Sequence, residues 1–148
     1  MKIFLVIIMA AVFCCAANAR PAAQTDVQQI RALLSSMFDK PESKVLADPI
    51  IVSGQHAIAD WTQGDMGGRA LLRKKKDKWT LVACAGDGLK EANVLESTGI
   101  SKGSAARLAQ QLARAEAKVP EDRRSRFSLF GPMADAQAAH SPDSSHKH

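Results

Sequence analysis

The chain has 148 residues, 46% of them apolar, with 20 Lys+Arg against 15 Asp+Glu and a formal net charge of +5. That length suffices for one packed core. The mild positive balance permits attraction to an anionic surface but does not point to nucleic acid as a partner.

The first residues are Met1-Lys2, an apolar run from Ile3 to Phe13, and small residues ending Ala17-Asn18-Ala19. A charged start, a short apolar stretch and an A-x-A site predict a signal peptide over residues 1–19, because spanning a bilayer takes roughly 20 apolar residues. The exported chain then carries 19 Lys+Arg, only Lys2 being lost, against 15 Asp+Glu, a net charge of +4. Cys14 and Cys15 leave with the leader, so Cys84 has no partner in the chain and burial alone must hold the fold. The expected location is the periplasm, with no membrane span after processing.

Residues 20–131 read as one α+β domain. Val27, Ile30, Leu34, Met37 and Phe38 recur at helical spacing after a Thr25-x-x-Gln28 capping box, which predicts a helix over residues 26–38 ended by Lys40-Pro41. From Val45 the pattern shifts to period two. Four strands follow, through 49–52, 57–61, 69–74 and 79–83, with turns at 53–55 and 75–78. Short connections imply an antiparallel meander with the first helix on one face. Trp61 and Trp79 read as core-packing residues, with pairing across adjoining strands as the alternative, and Met66 sits in the glycine-flanked loop 64–68.

Asp87 is positioned to cap a helix that bears Leu89, Ala92 and Leu95 and stops at Gly99. A further helix starts at Ser101 or Ser104 and shows an apolar stripe of Ala105, Leu108, Leu112, Ala115 and Val119. A last helical segment covers residues 121–130. Residues 132–148 are Ala, Ser, Asp and His with almost no large apolar side chain, which predicts a disordered tail.

Three groups of residues carry candidate chemistry. The tail holds His140, His146 and His148, imidazoles suited to divalent copper, nickel or zinc; the bland alternative is a polar tail that keeps the chain soluble. Cys84 is either a small buried apolar residue, a soft ligand for monovalent copper, or a nucleophile served by His56 as a base. An exposed Met66 thioether suits monovalent copper, or it folds back over the tryptophans. Asp60, Asp65 and Asp87 show no spacing that fixes two carboxylates on one substrate. The basic run Arg73-Lys-Lys-Lys76 reads as a solvated hairpin tip. No complete catalytic set is visible, so the chain reads as a non-enzyme.

The words Phe38-Asp39-Lys40-Pro41-Glu42, Trp61-Thr-Gln-Gly-Asp-Met-Gly-Gly-Arg-Ala-Leu-Leu72 and Cys84-Ala-Gly-Asp87 resemble the bacterial copper uptake system-associated proteins, small exported proteins linked with copper-acquisition genes. A weaker likeness runs through the Ala/Arg-rich helix to Phe127 and Phe130. The resemblance implies a periplasmic accessory role in copper uptake, with copper as cargo and a copper transporter or outer-membrane receptor as partner. It implies no ligand residues. Cys84, Met66, His56, His140, His146 and His148 are the metal-ligand candidates on chemistry alone. The alternatives are an adaptor that docks on an envelope transporter or receptor through its helical half without touching metal and, behind it, a cysteine-dependent hydrolase.

Overall fold

A computed structural model describes residues 22–132 and the backbone of 134–135. The expected leader, residues 1–19, lies outside the described residues. The element order is α1 (Ala22–Phe38), β1 (Leu46–Ser53), β2 (His56–Gln63), β3 (Met66–Lys75), β4 (Lys78–Ala85), a 3-10 turn (Asp87–Lys90), α2 (Ala92–Ser97), α3 (Lys102–Glu116), α4 (Glu121–Arg124), a second 3-10 turn (Ser125–Ser128) and β5 (Ala134–Asp135). The strands lie in the order β1-β2-β3-β4-β5, every pair antiparallel. This is the expected α+β architecture, a helix on an antiparallel meander followed by C-terminal helices. Among the described residues no helix is long and apolar enough to cross a membrane.

Both faces of the sheet are covered, so the central strands show near-continuous burial where a one-sided sheet would alternate buried and exposed residues. Ile30 and Leu34 of α1 pack on one face against Ala57, Ala59, Ala70, Leu72, Trp79 and Cys84. Ile58, Leu71 and Ala85, which point the other way, meet Leu89, Leu95, Ile100, Ala105, Leu108 and Leu112 from the C-terminal half. Strand geometry explains the split, since successive side chains leave on opposite faces.

Several local expectations change. Helix α1 begins at Ala22, ahead of the predicted capping box, which therefore caps nothing; Thr25 and Gln28 are exposed on the helix. The glycines of the predicted 64–68 loop divide: Gly64-Asp65 is the whole turn, while Gly67 and Gly68 are strand residues paired with Thr62 and Trp61. The tryptophans keep to the expected core packing and do not pair. Trp61 meets Phe130 edge-on, with ring centroids 5.5 Å apart, and Trp79 on β4 packs towards α1. Gly86 takes the cap position of the turn, with Asp87 as its first residue and the Asp87 carboxylate accepting from Ser128 Oγ. Within the tail predicted to be disordered, residues 134–135 pair with Ala83 and Cys84 on the outer edge of β4.

Asp26 ties α1 to the sheet. Its Oδ1 accepts from Trp79 Nε1 at 3.0 Å and from Lys74 Nζ at 2.7 Å, and these donors hold its carboxyl below the usual carboxylate range. Asp26→Ala strands the buried indole N–H, so a loss of roughly 1–3 kcal/mol is expected in urea unfolding. The variant should also shift tryptophan emission in the native baseline; an unchanged midpoint would refute the tie.

Candidate functional site

A cavity of about 410 Å³ lies between the C-terminal end of α1 and the sheet and is lined by Met37, Phe38, Trp61, Gln63, Cys84 and Phe130. Its lining extends to the exposed Asp39 and Lys40, so it reaches the surface. Local folding shapes its mouth: Gln63 Nε2 donates to the carbonyls of Phe38 at 2.8 Å and Ser43 at 2.9 Å, pinning the chain after α1 to the end of β2. Asp39 Oδ1 accepts from the Val45 amide, which turns the same segment into β1.

Cys84 forms part of the cavity wall, 3% exposed and free of any disulfide. Burial pushes its thiol up to about 11, so it is protonated at neutral pH and a poor nucleophile. The second sulfur in the cavity is the thioether of Met37, half-buried on α1. Sequence reasoning passed over Met37 because its helical spacing marked it as core. Helix and strand place Met37 and Cys84, 47 positions apart in the chain, on the lining of one cavity.

The remaining candidates fall elsewhere. Cys84 pairs in register with Ala70, and Ala70 with Ala59. His56 is three residues from Ala59 along β2, an odd offset that puts it on the opposite face of the sheet from Cys84. The two cannot form a nucleophile–base pair. Burial, and then the Arg73 guanidinium paired in register beside it, lower the His56 pKa. Met66 shares the face of Cys84, but its Cα is about 14 Å away by strand rise and spacing, and its side chain is 50% exposed at the β2–β3 tip. The structure thus does not bring Cys84, Met66 and His56 together. Among the described residues no group of three or more His, Cys, Asp or Glu is placed to hold a metal. His140, His146 and His148 lie outside the described residues.

A second polar centre escaped sequence reasoning. Arg69, 1% exposed on β3, forms a fork–fork pair with Glu116 of α3, Nε to Oε1 at 2.7 Å and Nη2 to Oε2 at 3.0 Å. Its Nη1 donates to the Phe127 carbonyl at 3.1 Å and to Asp87 Oδ1 at 3.4 Å. Asp60, fully buried on β2, has Oδ1 3.7 Å from Arg69 Nε, and neither carboxylate oxygen accepts a hydrogen bond. Desolvation and the neighbouring Glu116 raise Asp60 to about 8, so it carries a proton at neutral pH and is placed to share it with Glu116. One signal was legible: Glu116 continues the stripe of Ala105, Leu108 and Leu112 at helical spacing, a charge on a buried face.

Comparison with protein-family models, curated proteins and solved structures finds no match to the chain.

Proposed function

We propose that the protein is an accessory of copper uptake in the periplasm and that it carries one monovalent copper ion in the cavity beneath α1. One observation carries the reading: Cys84 and Met37, a thiol and a thioether, line a single cavity with the Trp61 ring. Thiolate and thioether are the soft donors that select monovalent copper, and an aromatic face attracts a cation that has shed water. This ligand pair revises the expected one by exchanging Met66 for Met37. A protonated, buried thiol suits a carrier: the metal replaces the proton on binding, and the wall groups keep water and oxidants from the sulfur. The tail histidines His140, His146 and His148 supply ligand types for divalent metal. The adaptor reading asks for an exposed apolar face on the helical half, whereas Leu129 is the one large apolar side chain strongly exposed there among the described residues.

The test is a competition titration of monovalent copper on the full processed chain under anaerobic conditions. The variant with all of His140, His146 and His148 changed to Asn should keep one tight site. Cys84→Ser should abolish it, and Met37→Leu should weaken it by about tenfold or more. Affinity should rise roughly tenfold per pH unit below the thiol pKa, because one proton leaves for each ion bound. Tight binding that persists in Cys84→Ser would place the ion elsewhere and end this assignment.

A further inference from the structure

Residues 126–131 carry the chain from the helical face of the sheet, round its end, to the face that holds the cavity. Phe127 is buried beside Arg69, and Phe130 lies across the sheet end against Trp61. The segment lies so close that a Cβ on Gly67 would stand 2.8 Å from the Arg126 carbonyl oxygen, one on Gly68 2.7 Å from Phe130 Cβ, and one on Gly86 2.8 Å from the Ser128 carbonyl oxygen. Gly67, Gly68 and Gly86 are therefore the bed on which this segment rests.

We infer that residues 126–131 are a strap that controls access to the Cys84 thiol within the cavity, whose mouth at Asp39 and Lys40 is open, with Phe130 as the residue that covers the thiol and Arg69 as the positioning residue that holds the strap down. The inference rests on the cavity being the working site, but not on the identity of its ligand. Phe130 supplies one wall of the cavity, and Cys84 is only 3% exposed behind it. The strap is held by discrete ties: Arg69 to the Phe127 carbonyl, Ser128 Oγ to Asp87, Arg126 Nη1 to the Gly64 carbonyl, and the Gly86 amide to the Gly131 carbonyl. Phe127 is the one large apolar side chain in it that is fully buried; Leu129 is 52% exposed and Phe130 is half-buried. A segment with one buried anchor and a handful of polar ties opens at far lower free energy than the sheet beneath it. Opening exposes the thiol and the Trp61 ring together.

The experiment follows the rate at which N-ethylmaleimide alkylates Cys84 in the full processed, metal-free chain, across urea concentrations below the unfolding transition. Local strap opening predicts a rate nearly independent of urea at low concentration, joining the steep dependence of global unfolding only near the transition. Phe130→Ala should accelerate the urea-independent phase by about tenfold or more, with little change in the unfolding midpoint. Should alkylation follow global unfolding at every urea concentration, or should Phe130→Ala leave the low-urea rate unchanged, the strap does not govern access. Copper titration of the same variants separates the two ideas: failure to bind metal overturns the cargo reading and leaves the strap measurement intact.

Discussion

Arg69→Met is expected to destabilise the protein by about 3–5 kcal/mol, the cost of leaving a buried carboxylate without its partner. Glu116 is 4% exposed and has both oxygens on the guanidinium, so removing Arg69 strands an anion in a site too dry to solvate it. The same change frees the Phe127 carbonyl and removes the cation stacked 5.7 Å over the Phe127 ring. Lysine should not rescue it, because a single ammonium cannot reproduce the two-pronged pairing while also reaching the Phe127 carbonyl. Urea unfolding followed by far-UV dichroism provides the number, and amide exchange should show residues 102–131 losing protection ahead of β2 and β3. A loss below about 1 kcal/mol would mean that the cluster is solvated in solution and does not tie the helical half to the sheet.

Asp60→Asn is expected to stabilise the protein, and by more as the pH rises. In the folded chain Asp60 titrates near 8, above its ordinary value of 3.8. Between those values the folded state keeps a proton that the unfolded state has already released, so the wild-type contribution declines from about pH 4 to pH 8 and is level on either side. Asparagine is neutral throughout and can donate to Glu116 in place of the acid proton. The gain should therefore be small near pH 4 and grow by about 1.4 kcal/mol per pH unit to several kcal/mol by pH 8. Asp26 and Asp87 act in the opposite sense. Hydrogen bonds from Lys74 and Ser128 respectively hold them below the usual range, so their stabilisation is present at neutral pH and is lost as the pH falls through their lowered values. Thermal melts of Asp60→Asn and wild type at half-unit pH steps decide the matter. Parallel curves would show that Asp60 is ionised in the fold.

The existence and order of the elements were determined by sequence. Helical spacing from Val27 to Phe38, period two after Val45, and a stripe from Ala105 to Leu112 are local signals, and each element formed with its core residues close to where those patterns put them. Cys84 as a buried sulfur at a strand end was likewise legible, whereas Met66, left open between exposure and folding back over the tryptophans, proves to be an exposed residue at the start of β3.

What only tertiary structure decided is which distant residues meet. Period two assigns His56 and Cys84 to faces only once the register of three strands is known, and that register separates them. Met37 shares a cavity with Cys84 because α1 packs on the sheet, a packing choice that helical spacing does not encode. Arg69 and Glu116 are 47 residues apart, and although Glu116 falls on the buried stripe of α3, nothing local names Arg69 as its partner. Gly67 and Gly68 looked like turn residues; they are strand residues kept bare by a segment nearly sixty positions later in the chain, against which any side chain would collide. Local chain chemistry sets what each segment becomes, and close packing between segments sets what each side chain is for.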